Sequence, residues 1–204
     1  MDCGGNLMYV LIALSIFAVA NAIYLLCTLR IGVTVPRALF RDVLDKVSAG
    51  NYDEARKVCD YKPSAFSSVA IAAIDYAQVV PDADPTMLNN AIEGEGARQA
   101  SRIQGSTQWL LDIAAISPMV GLLGTVLGML TAFHAISSEI ASAKPIMLAQ
   151  GISYALITTI AGLVIAIPAM LLYAWFRRGA SRQVANLECA SSALLSSIIT
   201  NRSK

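Results

Sequence analysis

Two threonine hydroxyls, those of Thr125 and Thr159, are the groups in this chain best placed for chemistry inside a membrane. Each lies in a long apolar run, on a stripe of very small residues: Ala114, Ser117, Gly121, Thr125, Gly128, Ala132 and Ala135 in one run, and Ala155, Thr159, Gly162, Ala166 and Ala169 in the other. Steps of three and four put each set on one helical face. A small-residue face lets a second helix come close, and a hydroxyl at its centre offers a polar contact where lipid offers none. The ordinary fate of such a hydroxyl is to bond a carbonyl one turn earlier. Here residue type, surroundings and depth coincide in two runs, each threonine falling ~16–20 Å below the same boundary at the helical rise. That coincidence points away from a simple anchor and toward a packed assembly lining a polar path. Thr158 adjoins Thr159 but points ~100° away, so it ranks lower.

Few other groups invite a chemical role. Asp112 is an ionisable residue at the start of one apolar run, either a solvated interfacial carboxylate or the mouth of an ion path. His134, near the far end of that run, reads as an interfacial histidine. Gly124 and Gly128 form a GxxxG pair, which marks close helix packing along with Gly121 and Gly162. Pro118 and Pro168 each remove a helical hydrogen bond within an apolar run and free a carbonyl. The four cysteines, Cys3, Cys27, Cys59 and Cys189, form no CxxC pair, so neither a metal site nor a disulfide framework is expected. With one histidine, no phosphate-binding loop and no paired carboxylates in the apolar runs, the chain is not expected to be an enzyme, and no cofactor or metal is implied.

The elements that must position these residues are membrane helices. The chain has 204 residues, of which 56% are hydrophobic and 14% charged, and the apolar excess is segmental. A net charge of +1 gives no sign of nucleic-acid binding. Three spans are expected, at residues 7–29, 109–136 and 146–176. The first, with no basic residue before it and apolar sequence continuing past Ala18-Val19-Ala20, is expected to remain a membrane helix rather than act as a cleaved signal. Trp175 suits an interfacial aromatic belt. Arg30, Arg37 and Arg41 follow the first span, and Arg177, Arg178 and Arg182 follow the third. Lys144 and Glu139 balance each other in the connection between the second and third. The positive-inside rule then places residues 1–6 outside, 30–108 inside, the 137–145 loop outside and 177–204 inside.

The 30–108 stretch carries nine Lys/Arg and ten Asp/Glu and reads as a solvated helical domain. Pro36 opens a helix with apolar positions Leu39, Phe40, Val43, Leu44 and Val47, and Gly50 ends it. Asn51 caps a short helix through Cys59. Pro63 starts a third, with Phe66, Val69, Ala70, Ala73, Ile74 and Ala77 on one side. Asp84-Pro85 reads as an N-cap and first helical residue. No strong breaker follows before the second span, so one long helix is expected, with roughly 36 Å of it preceding the membrane. Val184, Leu187, Leu194, Leu195 and Ile198 share a stripe in the tail, suited to packing against a neighbour. No strand pattern occurs. The expected fold is all-α: three transmembrane helices with long cytoplasmic helical extensions.

Two strings carry a resemblance. Ser117-Pro118-Met119-Val120-Gly121-Leu122-Leu123-Gly124-Thr125-Val126-Leu127-Gly128-Met129 resembles the second-span signature of the MotA/TolQ/ExbB proton channel family. Gly151-Ile152-Ser153-Tyr154-Ala155-Leu156-Ile157-Thr158-Thr159-Ile160-Ala161-Gly162-Leu163, followed by Ala166-Ile167-Pro168-Ala169, resembles its third-span signature. The Pro36 to Cys59 stretch, with Gly50-Asn51-Tyr52-Asp53-Glu54-Ala55, is similar to the family's first cytoplasmic helices. Three spans favour the ExbB/TolQ-like branch over the four-span flagellar one.

The resemblance implies a subunit of a bacterial inner-membrane motor driven by the proton-motive force. Such subunits form a ring, typically a pentamer, around the helices of an ExbD/TolR-like single-span partner, and the assembly energises a TonB- or TolA-like protein. The family's pore threonines fall on Thr125 and Thr159. Many ExbB proteins carry a glutamate five residues before the second threonine, where this chain has Tyr154. No carboxylate then lies in the core of either lining span, so the resemblance implies that the partner's aspartate supplies the acid. Two other readings fit the same residues: a stator for another envelope or motility machine, and a non-conducting membrane scaffold.

Overall fold

The computed structural model describes residues 5–28, 34–79, 85–138 and 144–202. The expected Asp84 cap, Cys3, Arg30, Glu139 and most of the N-terminal segment and of the 137–145 loop lie outside the described residues. Six helices follow in order: α1 (Gly5–Thr28), α2 (Arg37–Ser48), α3 (Tyr52–Tyr61), α4 (Ala65–Val79), α5 (Pro85–Ser138) and α6 (Lys144–Arg202). Among the described residues there is no strand, so the all-α expectation holds. Three helices, α1, α5 and α6, are long and apolar enough to cross a membrane. By internal packing the chain divides into two units, Met1–Leu25 with Thr107–Phe176 and Leu26–Ser106 with Arg177–Lys204.

In the first unit α1 buries Leu11, Ala22 and Leu25. Phe17 meets the Trp109 ring edge-on, with centroids 6.2 Å apart, a favoured arrangement for aromatic pairs. Exposed large apolar side chains cover the outside of all three helices, among them Tyr9, Ile16, Leu122, Phe133, Ile160 and Leu171. A soluble monomer does not tolerate so much exposed apolar surface, whereas a lipid environment accounts for it. Pro118 and Pro168 sit inside continuous helices, leaving the carbonyls of Ala114 and Val164 without their ladder donors.

The second unit has its own core. Leu39, Val43 and Val47 of α2, Ala55 and Cys59 of α3, Phe66, Val69, Ala70, Ala73, Ile74 and Ala77 of α4, Leu88 and Ile92 of α5, and Leu187, Ala190, Leu194 and Ile198 of α6 form one buried cluster. The tail stripe therefore packs against helices of its own chain. Gly50 ends α2 at φ 81, a conformation open to glycine. There the Gly50 N–H bonds the Val47 carbonyl at 3.0 Å and the Asn51 N–H bonds the Lys46 carbonyl at 2.9 Å, the paired pattern of a Schellman stop.

Two helix starts differ from expectation. Asn51 stands at the N-cap of α3 with no side-chain cap bond; acidic Asp53 and Glu54 in the first turn complement the helix dipole instead. α4 begins at Ala65 rather than at Pro63. Ser64 supplies the cap, its Oγ accepting the Ser67 N–H at 3.1 Å.

Candidate functional site

The two small-residue stripes pack directly on each other within one protomer. A methyl group at Gly121 would lie 3.0 Å from the Thr158 carbonyl oxygen and 3.1 Å from the Thr159 Cα; at Gly128 it would lie 3.1 Å from the Ala155 Cβ. At Gly162 it would lie 2.6 Å from the Ser117 carbonyl oxygen and 3.3 Å from the Gly121 Cα. At Gly124 it would overlap the Thr158 side chain, and at Gly151 the Ala132 methyl. Partner numbers on α6 fall as those on α5 rise, so the two helices run antiparallel. Ser117, Ala114, Ala132, Ala155, Ala166 and Ala169 are all buried in the first unit. At each of these glycines the nearest opposing atoms belong to backbone or to an alanine or threonine side chain.

The seam sets the place of each hydroxyl. Thr159 Oγ1 donates to the Gly121 carbonyl at 3.1 Å, and in the α5 ladder that same carbonyl faces the Thr125 N–H. Thr125 Oγ1 donates to the Leu122 carbonyl at 2.7 Å, as membrane threonines commonly do. Thr158 is buried in the seam; its Oγ1 donates to the Ala155 carbonyl at 2.7 Å and lies 3.4 Å from that of Gly121. Thr125 and Thr159 stand ~60° from the centres of their contact faces in the same rotational sense. In an antiparallel pair, equal offsets of one sense fall on one side of the seam. The register also puts them within about one helical turn of each other in depth.

Other sequence candidates fall elsewhere. Asp112 accepts a hydrogen bond from Gln108 Nε2 at 3.3 Å and lies ~20 Å along α5 from Thr125. Tyr154 is exposed and offset the opposite way around α6 from Thr159, so it faces the other side of the seam. Thr131, on that other side, is exposed and donates to the Gly128 carbonyl of its own helix at 2.9 Å. His134 is exposed as well. Gly151 is a contact residue that the stripe reading passed over, although its spacing of four from Ala155 carries the signal. Thr158, ranked low from sequence, fills the space left by Gly124. Among the described residues no group of three or more His, Cys, Asp or Glu is placed to hold a metal ion.

Two groups outside the expected membrane spans have shifted titration. Burial pushes the Cys59 thiol up to about 11, helped by the charges of Asp60 and Asp42. At Glu95, burial acts to raise the carboxyl, but hydrogen bonds from Gln99 and Arg98 and the nearby Arg98 and Arg102 charges outweigh it and hold the group below its ordinary value. Neither side chain belongs to the threonine seam.

A family model, that of MotA/TolQ/ExbB proton channels, matches residues 62–189 and so takes in the whole seam. The chain belongs to the MotA/TolQ/ExbB proton channel family. Named relatives fall in the ExbB/TolQ-like branch. The biopolymer transport protein exbB1 of Vibrio cholerae is 28% identical over 189 residues, 89% of this chain and 78% of that protein. ExbB of Salmonella typhimurium is 30% identical over 156 residues, 71% of this chain and 62% of that protein. The Tol-Pal system protein TolQ of Haemophilus influenzae is 36% identical over 99 residues, 47% of this chain and 43% of that protein. Membership makes this a multi-pass inner-membrane protein of a proton-channel family that energises transport. The matched stretch contains both strings whose small-residue faces form the seam.

Proposed function

We propose that this chain is the ring-forming subunit of a motor driven by the proton-motive force. It lines a proton channel with an ExbD/TolR-like single-span partner and energises a TonB- or TolA-like protein for transport across, or maintenance of, the envelope. The observation that carries this reading is the placing of Thr125 and Thr159 on one side of a seam whose own surface is already filled. That side presents two hydroxyls, about one turn apart, in an otherwise apolar wall. Thr159 is anchored to the Gly121 carbonyl, which fixes its oxygen as an acceptor for a partner's acid or for ordered water.

In this reading five copies surround the partner's helices, with α5 and α6 lining the pore and α1 toward lipid. The N-terminus is periplasmic and the C-terminus cytoplasmic, which the distribution of basic residues supports. No carboxylate lies in the core of the apolar stretches of α5 and α6, so the acid that takes up and releases the proton comes from the partner. Asp112 serves at most as a cytoplasmic mouth residue. Reconstitution in liposomes tests the reading: proton uptake is expected only when this chain and a single-span, aspartate-bearing partner are both present. A sealed membrane with both proteins assembled would overturn it.

One observation favours a second reading, a non-conducting scaffold. The small faces are filled by each other within one protomer, and close packing alone explains their composition. The same flux measurement separates the two.

A further inference from the structure

We propose that Arg178 and Arg182, with Arg37 beside them, form a binding site for the headgroup of an anionic phospholipid such as phosphatidylglycerol. All three side chains are exposed. Arg178 and Arg182 are spaced four apart on α6, so they project two guanidinium groups from one side of the helix. A buried hydrogen bond holds the start of α2 near that pair: Thr34 Oγ1 donates to Gln183 Oε1 at 2.6 Å. The Thr34 carbonyl in turn accepts the Phe66 N–H at 3.1 Å. Gln183 follows Arg182 directly, and Arg37 is three residues from Thr34, at most ~11 Å of chain. The start of α2 is thus pinned beside the arginines of α6.

These three cations have no ion pair or hydrogen bond among the described residues. Other cations of the same unit do: Lys46 pairs with Glu54 at 3.0 Å, and Arg56 and Arg98 pair with Asp75 and Glu95. The cluster therefore calls for an anion from outside the chain. Guanidinium forks fit phosphate oxygens in a bidentate way that an ammonium does not. Arg178 is the second residue after the uncharged run 146–176. At the end of such a run a lipid phosphate is the anion at highest local concentration. The proposal rests on membrane residence and not on the pore.

The test is native mass measurement of the purified full chain in detergent, titrated with phosphatidylglycerol or with phosphatidylcholine of the same acyl chains. Phosphatidylglycerol is expected to be retained in preference. R178Q/R182Q is expected to lower its retention roughly tenfold or more, as two arginines near an anionic surface warrant. K57Q/K62Q, which removes the same charge from exposed positions on and just after α3, is expected to leave retention unchanged, and R178K/R182K to bind between wild type and R178Q/R182Q. Equal retention of the two lipids, equal losses in R178Q/R182Q and K57Q/K62Q, or no loss in R178Q/R182Q would overturn the proposal and leave the arginines a role in orientation alone. Unchanged helical content by circular dichroism shows that each variant is folded.

Discussion

Thr159 on α6 donates its hydroxyl hydrogen to the carbonyl oxygen of Gly121 on α5, at 3.1 Å. The bond crosses between antiparallel helices where a methyl group at Gly121 would lie only 3.0 Å from the opposing backbone. It ties a threonine side chain to a backbone that only glycine lets approach so near. The polar feature and the packing feature of the two stripes are thus one structure.

The seam predicts opposite outcomes for two glycine substitutions. Gly162→Ala puts a methyl 2.6 Å from the Ser117 carbonyl oxygen, a backbone atom that cannot swing away. It is expected to destabilise by about 1–3 kcal/mol. Gly94→Ala meets nothing within 4 Å and is expected to stabilise α5 by about 0.5–1 kcal/mol through helix propensity. Thermal unfolding in detergent checks both, and a destabilising Gly94→Ala would reveal another chain's backbone at that face.

Asn21, on the packed side of α1, keeps its Oδ1 buried with no hydrogen-bond partner among the described residues. Such an atom is unfavourable by about 1–3 kcal/mol. Asn21→Leu, close in shape and wholly apolar, is expected to raise the unfolding midpoint in detergent. A lowered midpoint would show that the amide holds a contact worth more than its desolvation.

Glu95 predicts an acid sensitivity. Its folded pKa lies below the ordinary 4.5, so its contribution to stability is fully present above about pH 4.5 and is lost as pH falls through the folded value. Glu95→Gln is expected to lower stability at pH 7, to converge with the wild type as pH falls below about 4.5, and so to flatten the profile there. Because the site is partly solvated, the effect is expected to be small, of order a few tenths of a kcal/mol after screening. Unfolding midpoints measured from pH 3 to 7 decide it.

Cys59 is expected to resist labelling. It is buried beneath α2 and α4, and burial pushes its thiol up to about 11. Thiolate is the reactive form, so at pH 7.5 a maleimide should modify the exposed Cys27 and Cys189 first. Cys59 should react only on unfolding. Equal rates for the three thiols would contradict the packing of the α2–α4 core.

Much of this fold is legible in the sequence because its punctuation is local. Pro36 precedes α2, Gly50 ends it with a left-handed residue, and Pro85 opens α5. The α4 stripe from Phe66 to Ala77 carries the helical period plainly. Ser64 is not legible, because Pro63 is the louder signal one residue earlier and a serine cap is common in loops as well. The site is half legible. Steps of three and four identify the two small faces, but which faces meet is a tertiary fact. Thr158 and Gly151 enter the site only once the opposing helix is in place, one filling the hollow at Gly124 and the other seating Ala132. Tyr154 shows the converse: five residues from Thr159 in sequence, it faces the other side of the seam.

The most direct test of the pore is partner-dependent proton flux in liposomes, comparing Thr159→Val with Thr131→Val. Valine keeps the shape of threonine and removes the hydroxyl. Thr131 lies on the opposite side of the seam and bonds only within its own helix. Thr159→Val is expected to lower flux by tenfold or more, equivalent to about 1.4 kcal/mol in the barrier, with ring assembly intact. Thr131→Val is expected to leave flux unchanged. Unchanged flux in an assembled Thr159→Val ring would contradict the account.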